Sequence, residues 1–320
     1  MATKKLRLGW IGAGRMGYEM ALRLAKGGCD LTVYNRTRAK AEPLAKYGAT
    51  IADKVSELAG CDVVFCMVST YADVKEVIAG KDGLLSQSKK AATGIKAGKR
   101  GAPRILIECS SISLEGSAEL REILAEHGTR MLAAPVSGNA KVIKAGKLSF
   151  VCSGPKAVFD EVSPLLKLIA PAASYVGEGE LARIVKICHN VFLGVVIQSL
   201  CEITILAQKA GVPRHAFLEF INQSVMGSVF SRYKTPALVN LDFKVTFTPT
   251  LLRKDLDLGL DAGRKFEVPL PLASITRDLI QSMIGSGLSE QDFVTLLLQQ
   301  ARASGIELRP EKVAVGDGLA

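Results

Sequence analysis

The stretch Gly12-Ala13-Gly14-Arg15-Met16-Gly17 constrains this chain more than any other. It fits G-x-G-x-x-G, follows the strand-like run LRLGWIG and opens the helix-like run RMGYEMALRLAKGG. A glycine turn in that setting reads as the start of a βαβ unit. The first glycine permits a tight turn, the second lets a diphosphate approach the backbone, and the third lets helix and strand pack closely. Phosphates then sit at the helix N-terminus, where unpaired N–H groups point outward. Gly12, Ala13, Gly14, Arg15 and Met16 are therefore expected to line a dinucleotide, with Met16 also a packing residue. A purely structural strand–turn–helix is the alternative.

The alternation continues. DLTVYN reads as a strand, TRAKAEPLAKYG as a helix with Pro43 in its first turns, and DVVFCMVS as a strand buried on both faces. RILIECS, TRMLAAPV and KLSFVCSG read similarly, with LEGSAELREILAEHG as a helix among them. Strands alternating with helices imply a parallel sheet. Beyond residue 177 the periodic stretches are helical: GVVIQSLCEITILAQKAG, PRHAFLEFINQS, TPTLLRKDLDLGLDAGRKF, LASITRDLIQSMIGSG and SEQDFVTLLLQQARASG. The expected fold is α/β. A Rossmann-type doubly wound sheet fills residues 1–177 and an all-α domain residues 178–310, joined by a long interdomain helix. Residues 311–320 are expected to fray.

A chain of 320 residues, 48% hydrophobic, can bury two cores. MATKKLRLGW has no apolar h-region, so no signal peptide is expected. The longest apolar run, residues 191–207, holds Gln198 and Glu202 and reads as a core helix, short for a membrane span. The seven cysteines lack C-x-x-C spacing and read as reduced thiols of a cytoplasmic protein. His127, His189 and His215 lack ligand spacing, so no metal is expected. The net charge of +10 arises within residues 1–177, which carry 26 of the 41 Lys+Arg but 16 of the 31 Asp+Glu. Such a half attracts an anionic small molecule or nucleic acid. Six of the cations fall in residues 89–104, which overlap a Lys-rich stretch, residues 86–103, read as an exposed loop. No aromatic residues interleave there, so nucleic acid is not the expected partner.

The second strand ends VYNRTR. An NAD-preferring site carries Asp or Glu at this point, to hold the ribose hydroxyls. Asn35 has no such charge. Arg36 and Arg38 suit a 2′-phosphate and Thr37 adds a hydrogen bond, so NADP(H) is preferred over NAD(H). The alternative is that both arginines are plain surface residues.

GEGELARIVKICHNVF, residues 177–192, is apolar nearly all round. Lys186 and Asn190, at i,i+4, share one helix face. Either the ammonium snorkels to solvent or chemistry needs it there. His189 lies off that face and is read as structural. Glu202 is expected to pair locally or at a subunit contact, and Asp292 to cap or pair near the last helix. Met67 is read as packing that also flanks the cofactor.

Together these motifs resemble the β-hydroxyacid dehydrogenase family, that of 3-hydroxyisobutyrate dehydrogenase and tartronate semialdehyde reductase, over roughly residues 6–304. LGWIGAGRMG with VYNRT is the first block. ECSSIS resembles the family's D-x-S-T segment and AAPVSGN its D-A-P-V-S-G-G segment. Residues 177–192 resemble G-x-G-x-x-x-K-x-x-x-N, and RKDLDL resembles the K-D-L element. The resemblance implies hydride exchange between a nicotinamide cofactor and a small β-hydroxyacid or its semialdehyde or keto acid. Lys186 would be the general acid/base and Asn190 its supporting amide. Ser110, Ser137 and Gly138 would hold the substrate carboxylate, with Asn139 beside them. Lys254 would lie at substrate and cofactor, with Asp255 next to it, and Met67, Val68 and Ser69 would lie near the nicotinamide. A homodimer or homotetramer is implied too. The chain departs from the pattern at Ala133 for Asp, Asn139 for Gly, Ser69 for Pro, and in the long loop. Two rivals stay open: an imine reductase-like NADPH reductase, whose kind often lacks the lysine, and a non-catalytic NADP-binding interaction module.

Overall fold

The computed structural model describes residues 6–88 and 101–319. The Lys-rich segment at residues 89–100, read above as an exposed loop, lies outside the described residues. The chain divides into two compact units, Met1–Lys186 and Ile187–Ala320.

The first unit is built on six parallel strands: β1 (Arg7–Ile11), β2 (Asp30–Tyr34), β3 (Thr50–Ile51), β4 (Val63–Cys66), β5 (Ile105–Glu108) and β6 (Arg130–Ala133). Their order is β3-β2-β1-β4-β5-β6, so direction reverses between β1 and β4. In such sheets ligands bind beyond the carboxyl ends of the strands at this reversal. Side chains alternate between two cores, as a strand's period of two requires. Leu8, Trp10, Val63, Phe65, Ile105 and Ile107 enter one core, while Ile11, Val64, Cys66 and Leu106 enter the other. Helix α1 (Arg15–Lys26) covers the first face. Helices α2 (Tyr71–Ala79) and α3 (Leu114–Glu126) give Val74, Ile78, Leu120 and Leu124 to the second.

Three expectations need correction here. TRAKAEPLAKYG is not one α-helix but two 3-10 turns, Arg38–Lys40 and Glu42–Tyr47. Pro43 supplies no N–H, so an α-helical ladder cannot run unbroken from the first turn into the second. TRMLAAPV holds β6 and then a separate strand, β7 (Val136–Ser137). KLSFVCSG is β8 (Ser149–Cys152), which lies in a second sheet, antiparallel to β7 and parallel to β9 (Ala172–Tyr175). Pro135 lies between β6 and β7, and helix α4 (Ala140–Lys144) fills the β7–β8 connection. Helix α5 (Lys156–Ile169) leads to β9 and gives Val158, Val162 and Leu166 to the first core.

Helix α6 (Leu181–Lys209) begins in the first unit and continues into the second. At 29 residues it exceeds the apolar run seen in the sequence, and by length and composition it is long enough to cross a membrane. In this fold its Ile197, Leu200, Cys201 and Ile205 enter the core of the helical unit. That unit adds α7 (Arg214–Gln223), α8 (Val229–Asn240), α9 (Pro249–Lys265), α10 (Pro271–Gly285) and α11 (Leu296–Ala303). SEQDFVT, expected to be helical, instead forms a turn around Asp292, whose buried carboxylate takes Lys234 Nζ at 2.6 Å and the Val294 amide at 3.1 Å. Glu202 pairs locally, accepting from Gln198 Nε2 at 2.8 Å.

The tail is not frayed at its start. The Glu311 carboxylate accepts from the Arg214 and His215 amides at 2.7 and 2.9 Å and contacts His215 Nδ1 at 2.8 Å. A carboxylate from nearly a hundred residues away thus caps α7, whose Pro213 cap position offers no side-chain acceptor. Arg214 is buried and donates to the Leu238, Val239 and Arg309 carbonyls.

Candidate active site

The three glycines of the first turn are each required differently. Gly12 ends β1 with φ +97°, and a Cβ there would lie 2.1 Å from the Met67 carbonyl oxygen. Only glycine allows the ends of β1 and β4 to meet so closely. A Cβ on Gly17 would lie 2.0 Å from the Gly12 carbonyl oxygen, so the third glycine seats α1 on the turn. Gly14 is the reverse case: among the described residues no atom lies within 4 Å of its missing Cβ. It is the exposed N-cap of α1, with extended backbone and no side-chain acceptor. The space above it, facing the free amides of a 12-residue helix, fits a diphosphate. Arg15 is exposed beside it, and Met16 packs against the first core.

At the end of β2, the Asn35 side chain accepts from the Ala13 amide at 2.8 Å and donates to the Thr37 carbonyl at 2.8 Å. It braces the glycine turn and brings no negative charge. The two arginines differ. Arg38 is engaged by Asp53 at 2.5 Å and Glu42 at 3.4 Å, whereas Arg36 is 89% exposed and pairs with Asp73 at 3.6 Å. Thr37 opens the first 3-10 turn between them.

Met67, Val68 and Ser69 follow β4 at the strand reversal. Met67 packs against the first core, Val68 against the second, and Ser69 is exposed. Ser110 follows β5 and differs from expectation. It is buried, and its Oγ accepts from the Val68 amide at 3.0 Å, so it joins the ends of β4 and β5. The next residue, Ser111, is partly exposed.

Two charges behind Ser110 escaped the sequence reading. Glu108 and Arg183 are an ion pair, 0% and 1% exposed. Glu108 Oε1 accepts from the Ser110 amide at 2.8 Å. Arg183 also donates to the Ser110 carbonyl at 2.6 Å and Ser117 Oγ at 3.1 Å. A basic residue inside an otherwise apolar helix start was the available signal. Burial pushes the nearby Cys66 and Cys109 thiols well up, which keeps them protonated.

In the third block, Gly138 has φ +137°, and a Cβ there would press on Val142 and Leu148 at 2.8 and 3.0 Å. The Asn139 side chain caps α4: its Oδ1 accepts from the Lys141 and Val142 amides at 2.9 and 3.1 Å. Ser137 ends β7, partly exposed. Ala133 is buried at the end of β6.

The lysine block contains an ambiguity that the structure bears on. Four residues past Gly179, where the family pattern puts lysine, stands Arg183; four residues before Asn190 stands Lys186. Arg183 is consumed by Glu108, whereas Lys186 is partly exposed on the next turn of α6. In the helical unit, Asn190 is buried and donates to Asp255 Oδ2 at 2.6 Å, and Asp255 Oδ1 lies 3.3 Å from Lys254 Nζ. Donation to a carboxylate fixes the amide's orientation, leaving Oδ1 as its acceptor side. His189 Nδ1 contacts that Oδ1 at 2.9 Å, nearer Asn190 than helical spacing suggests.

A family model described as the NAD binding domain of 6-phosphogluconate dehydrogenase matches residues 7–177. Another, described as NAD-binding of NADP-dependent 3-hydroxyisobutyrate dehydrogenase, matches residues 180–299. Glyoxylate/succinic semialdehyde reductase 2, chloroplastic, of Arabidopsis thaliana is 28% identical over 91% of this chain and 78% of its own. 2-(Hydroxymethyl)glutarate dehydrogenase of Eubacterium barkeri is 28% identical over 95% of this chain and 98% of its own. Among solved structures, 3-hydroxyisobutyrate dehydrogenase from Salmonella typhimurium superposes with a TM-score of 0.80 at 24% identity, over 92% of this chain and 99% of that one. At that identity the likeness is one of fold.

Proposed function

This chain belongs to the β-hydroxyacid dehydrogenase family of NAD(P)-dependent oxidoreductases, and we propose that it reduces a small carboxylate-bearing semialdehyde or keto acid with NADPH, Lys186 serving as general acid. The reading rests above all on one observation. Of the two basic residues that the lysine motif could designate, Arg183 is buried and saturated, and Lys186 stands partly exposed four residues before Asn190.

The bound nicotinamide supplies a hydride to the carbonyl carbon. The protein's part is to answer the negative charge that grows on the carbonyl oxygen. The Lys186 ammonium stabilises that charge and delivers its proton; in the oxidative direction the neutral amine removes the hydroxyl proton. Asn190, whose amide donates to Asp255, supports the ammonium or the substrate hydroxyl. Ser111 with the Ser137–Gly138 turn receives the carboxylate, and buried Ser110 braces that segment.

NADPH is favoured over NADH because β2 ends without a carboxylate and Arg36 is open to a 2′-phosphate. The proposal places the enzyme in the cytoplasm, as a homodimer or homotetramer formed through the helical unit. There Phe220, Val225, Met226 and Leu272 remain exposed.

The test follows NADPH absorbance with glyoxylate and with succinic, methylmalonate and tartronate semialdehydes, wild type beside Lys186→Ala and NADH beside NADPH. Turnover that prefers NADPH and falls about 10²–10⁴-fold in Lys186→Ala is the expected result. Turnover that survives the substitution refutes the lysine assignment.

A further inference from the structure

Glu108 and Arg183 take no part in the chemistry described so far, yet their placement ties three segments of the first unit together. Glu108 ends β5, and its carboxylate holds the Ser110 amide at 2.8 Å. Ser110 Oγ holds the Val68 amide beyond β4 at 3.0 Å. Arg183, in the first turn of α6, grips Glu108, the Ser110 carbonyl and Ser117 Oγ. Lys186 follows three residues later on the same helix.

Stability does not account for such a pair. Well-packed apolar residues of similar volume commonly stabilise a fold as well as a buried ion pair does. What an ion pair adds is direction, because a guanidinium fork donates to its partners in one plane and at fixed angles. Here the fork is aimed at backbone and carboxylate at the carboxyl edge of the sheet, where ligands bind in this fold. The chain also departs from its family's pattern here: Glu108 stands where that pattern has the shorter Asp, and Arg183 lies between Gly179 and Lys186, where this chain carries three residues more than the pattern.

We propose that Glu108 and Arg183 are positioning residues, which lock the rotation of the first turn of α6 against the ends of β4 and β5 and thereby place Lys186. The proposal rests on the reading of Lys186 as the acid. With side chains, a helix has a radius of about 5–6 Å, so a 10° rotation moves a side-chain tip by roughly 1 Å. A displacement of that size can cost on the order of 10²-fold in rate.

The test is a double-mutant cycle in the full-length chain. The paired replacement Glu108→Leu with Arg183→Met leaves no buried charge unpaired. Arg183→Lys, which keeps the charge and loses the fork, serves as a second variant should the pair fail to fold. Each is made in the wild type and in Lys186→Ala. kcat and KM are measured with NADPH and the best semialdehyde, and the NADPH Kd is measured by fluorescence. The pair is expected to lower kcat about 10–100-fold, with KM and Kd within about 3-fold of wild type. Its effect should vanish in the Lys186→Ala background, because a misplaced lysine and a missing one are then equivalent. Two results overturn the proposal: an unchanged kcat in the pair and Arg183→Lys, or losses that multiply with that of Lys186→Ala. If Lys186→Ala alone leaves kcat intact, the acid assignment falls and takes this proposal with it, an outcome distinct from the other two.

Discussion

Alanine placed at two glycines of one turn should produce opposite phenotypes. Gly14 has φ −73° and ψ −169°, open to any residue, and no described atom lies within 4 Å of the added methyl. Gly14→Ala should therefore shift stability by under about 0.5 kcal/mol, because the gain through the unfolded chain is offset by alanine's poorer fit at an N-cap, or roughly 1–2 °C in Tm for a unit of this size. The same methyl enters the space assigned to the diphosphate. Losing one charge-assisted hydrogen bond costs about 1.5–3 kcal/mol, so NADPH should bind roughly 10–100-fold more weakly. Gly12→Ala should do the reverse. Its methyl would lie 2.1 Å from the Met67 carbonyl oxygen at φ +97°. Overpacking of about 1–3 kcal/mol adds to left-handed strain of about 1–2 kcal/mol, a fall on the order of 10 °C in Tm. Thermal melts with and without NADPH, together with fluorescence titration, read both. A Gly14→Ala protein that binds NADPH as tightly as wild type would falsify the placement of the diphosphate. A Gly12→Ala protein with an unchanged melt would refute the close approach of β1 and β4.

Arg36→Ala should weaken NADPH at least 10-fold while leaving NADH within about 2-fold, the scale of one lost charged contact to a phosphate; equal losses for both would remove Arg36 from the 2′-phosphate. Arg38→Ala, which frees Asp53 and Glu42 at the surface, should cost under about 1 kcal/mol in a urea melt. Asn139→Ala removes the cap of α4 and should cost about 1 kcal/mol, whereas Asn139→Gly should cost only a few tenths; the order of the two melting temperatures decides. Burial works to raise the Glu311 carboxyl, but donors from His215 and Arg214 outweigh it and hold the group below its ordinary range. A depressed folded pKa gives stability that is present at neutral pH, above the unfolded value of about 4.3, and lost as pH falls through the folded value. Wild type should therefore melt above Glu311→Gln at pH 7, with the gap closing toward pH 3; a gap independent of pH would show that the charge is irrelevant.

Much of the first unit was legible because its signals are local. The all-apolar run VVFC reads as a strand covered on both faces, and Gly12, Gly14 and Gly17 announced the turn through their spacing together with the strand before them and the helix after. What escaped was set by contacts distant in sequence. Strand β8 has the same composition as the parallel strands, and only its partners, Val136 and Ala173 on either side of Phe150, place it in another sheet. The two residues of β3 are too few to carry a period. Asn139 read as a pocket residue because its side chain suits a ligand, yet the same oxygen suits the N-cap of a five-residue helix. Ser110 and Ser111 look interchangeable in ECSSIS; the first is buried beyond β5, where its Oγ takes the Val68 amide. Arg183 carries no local sign of its role, because its partner is 75 residues away.

The Glu108–Arg183 pair also limits how such genes can be recombined. The glycines at Gly177 and Gly179 look like a natural joint, and a chimera joined there would take its sheet from one parent and α6 from another. It would then set the Glu108 carboxylate against whatever residue the second parent carries at position 183. Unless that residue is a base of matching length, the chimera buries a lone carboxylate, at a cost of about 3–5 kcal/mol. Crossovers placed after Arg183 should yield folded hybrids where those at the glycines do not. The heritable module of this protein is thus the sheet together with the first turn of the helix that follows it.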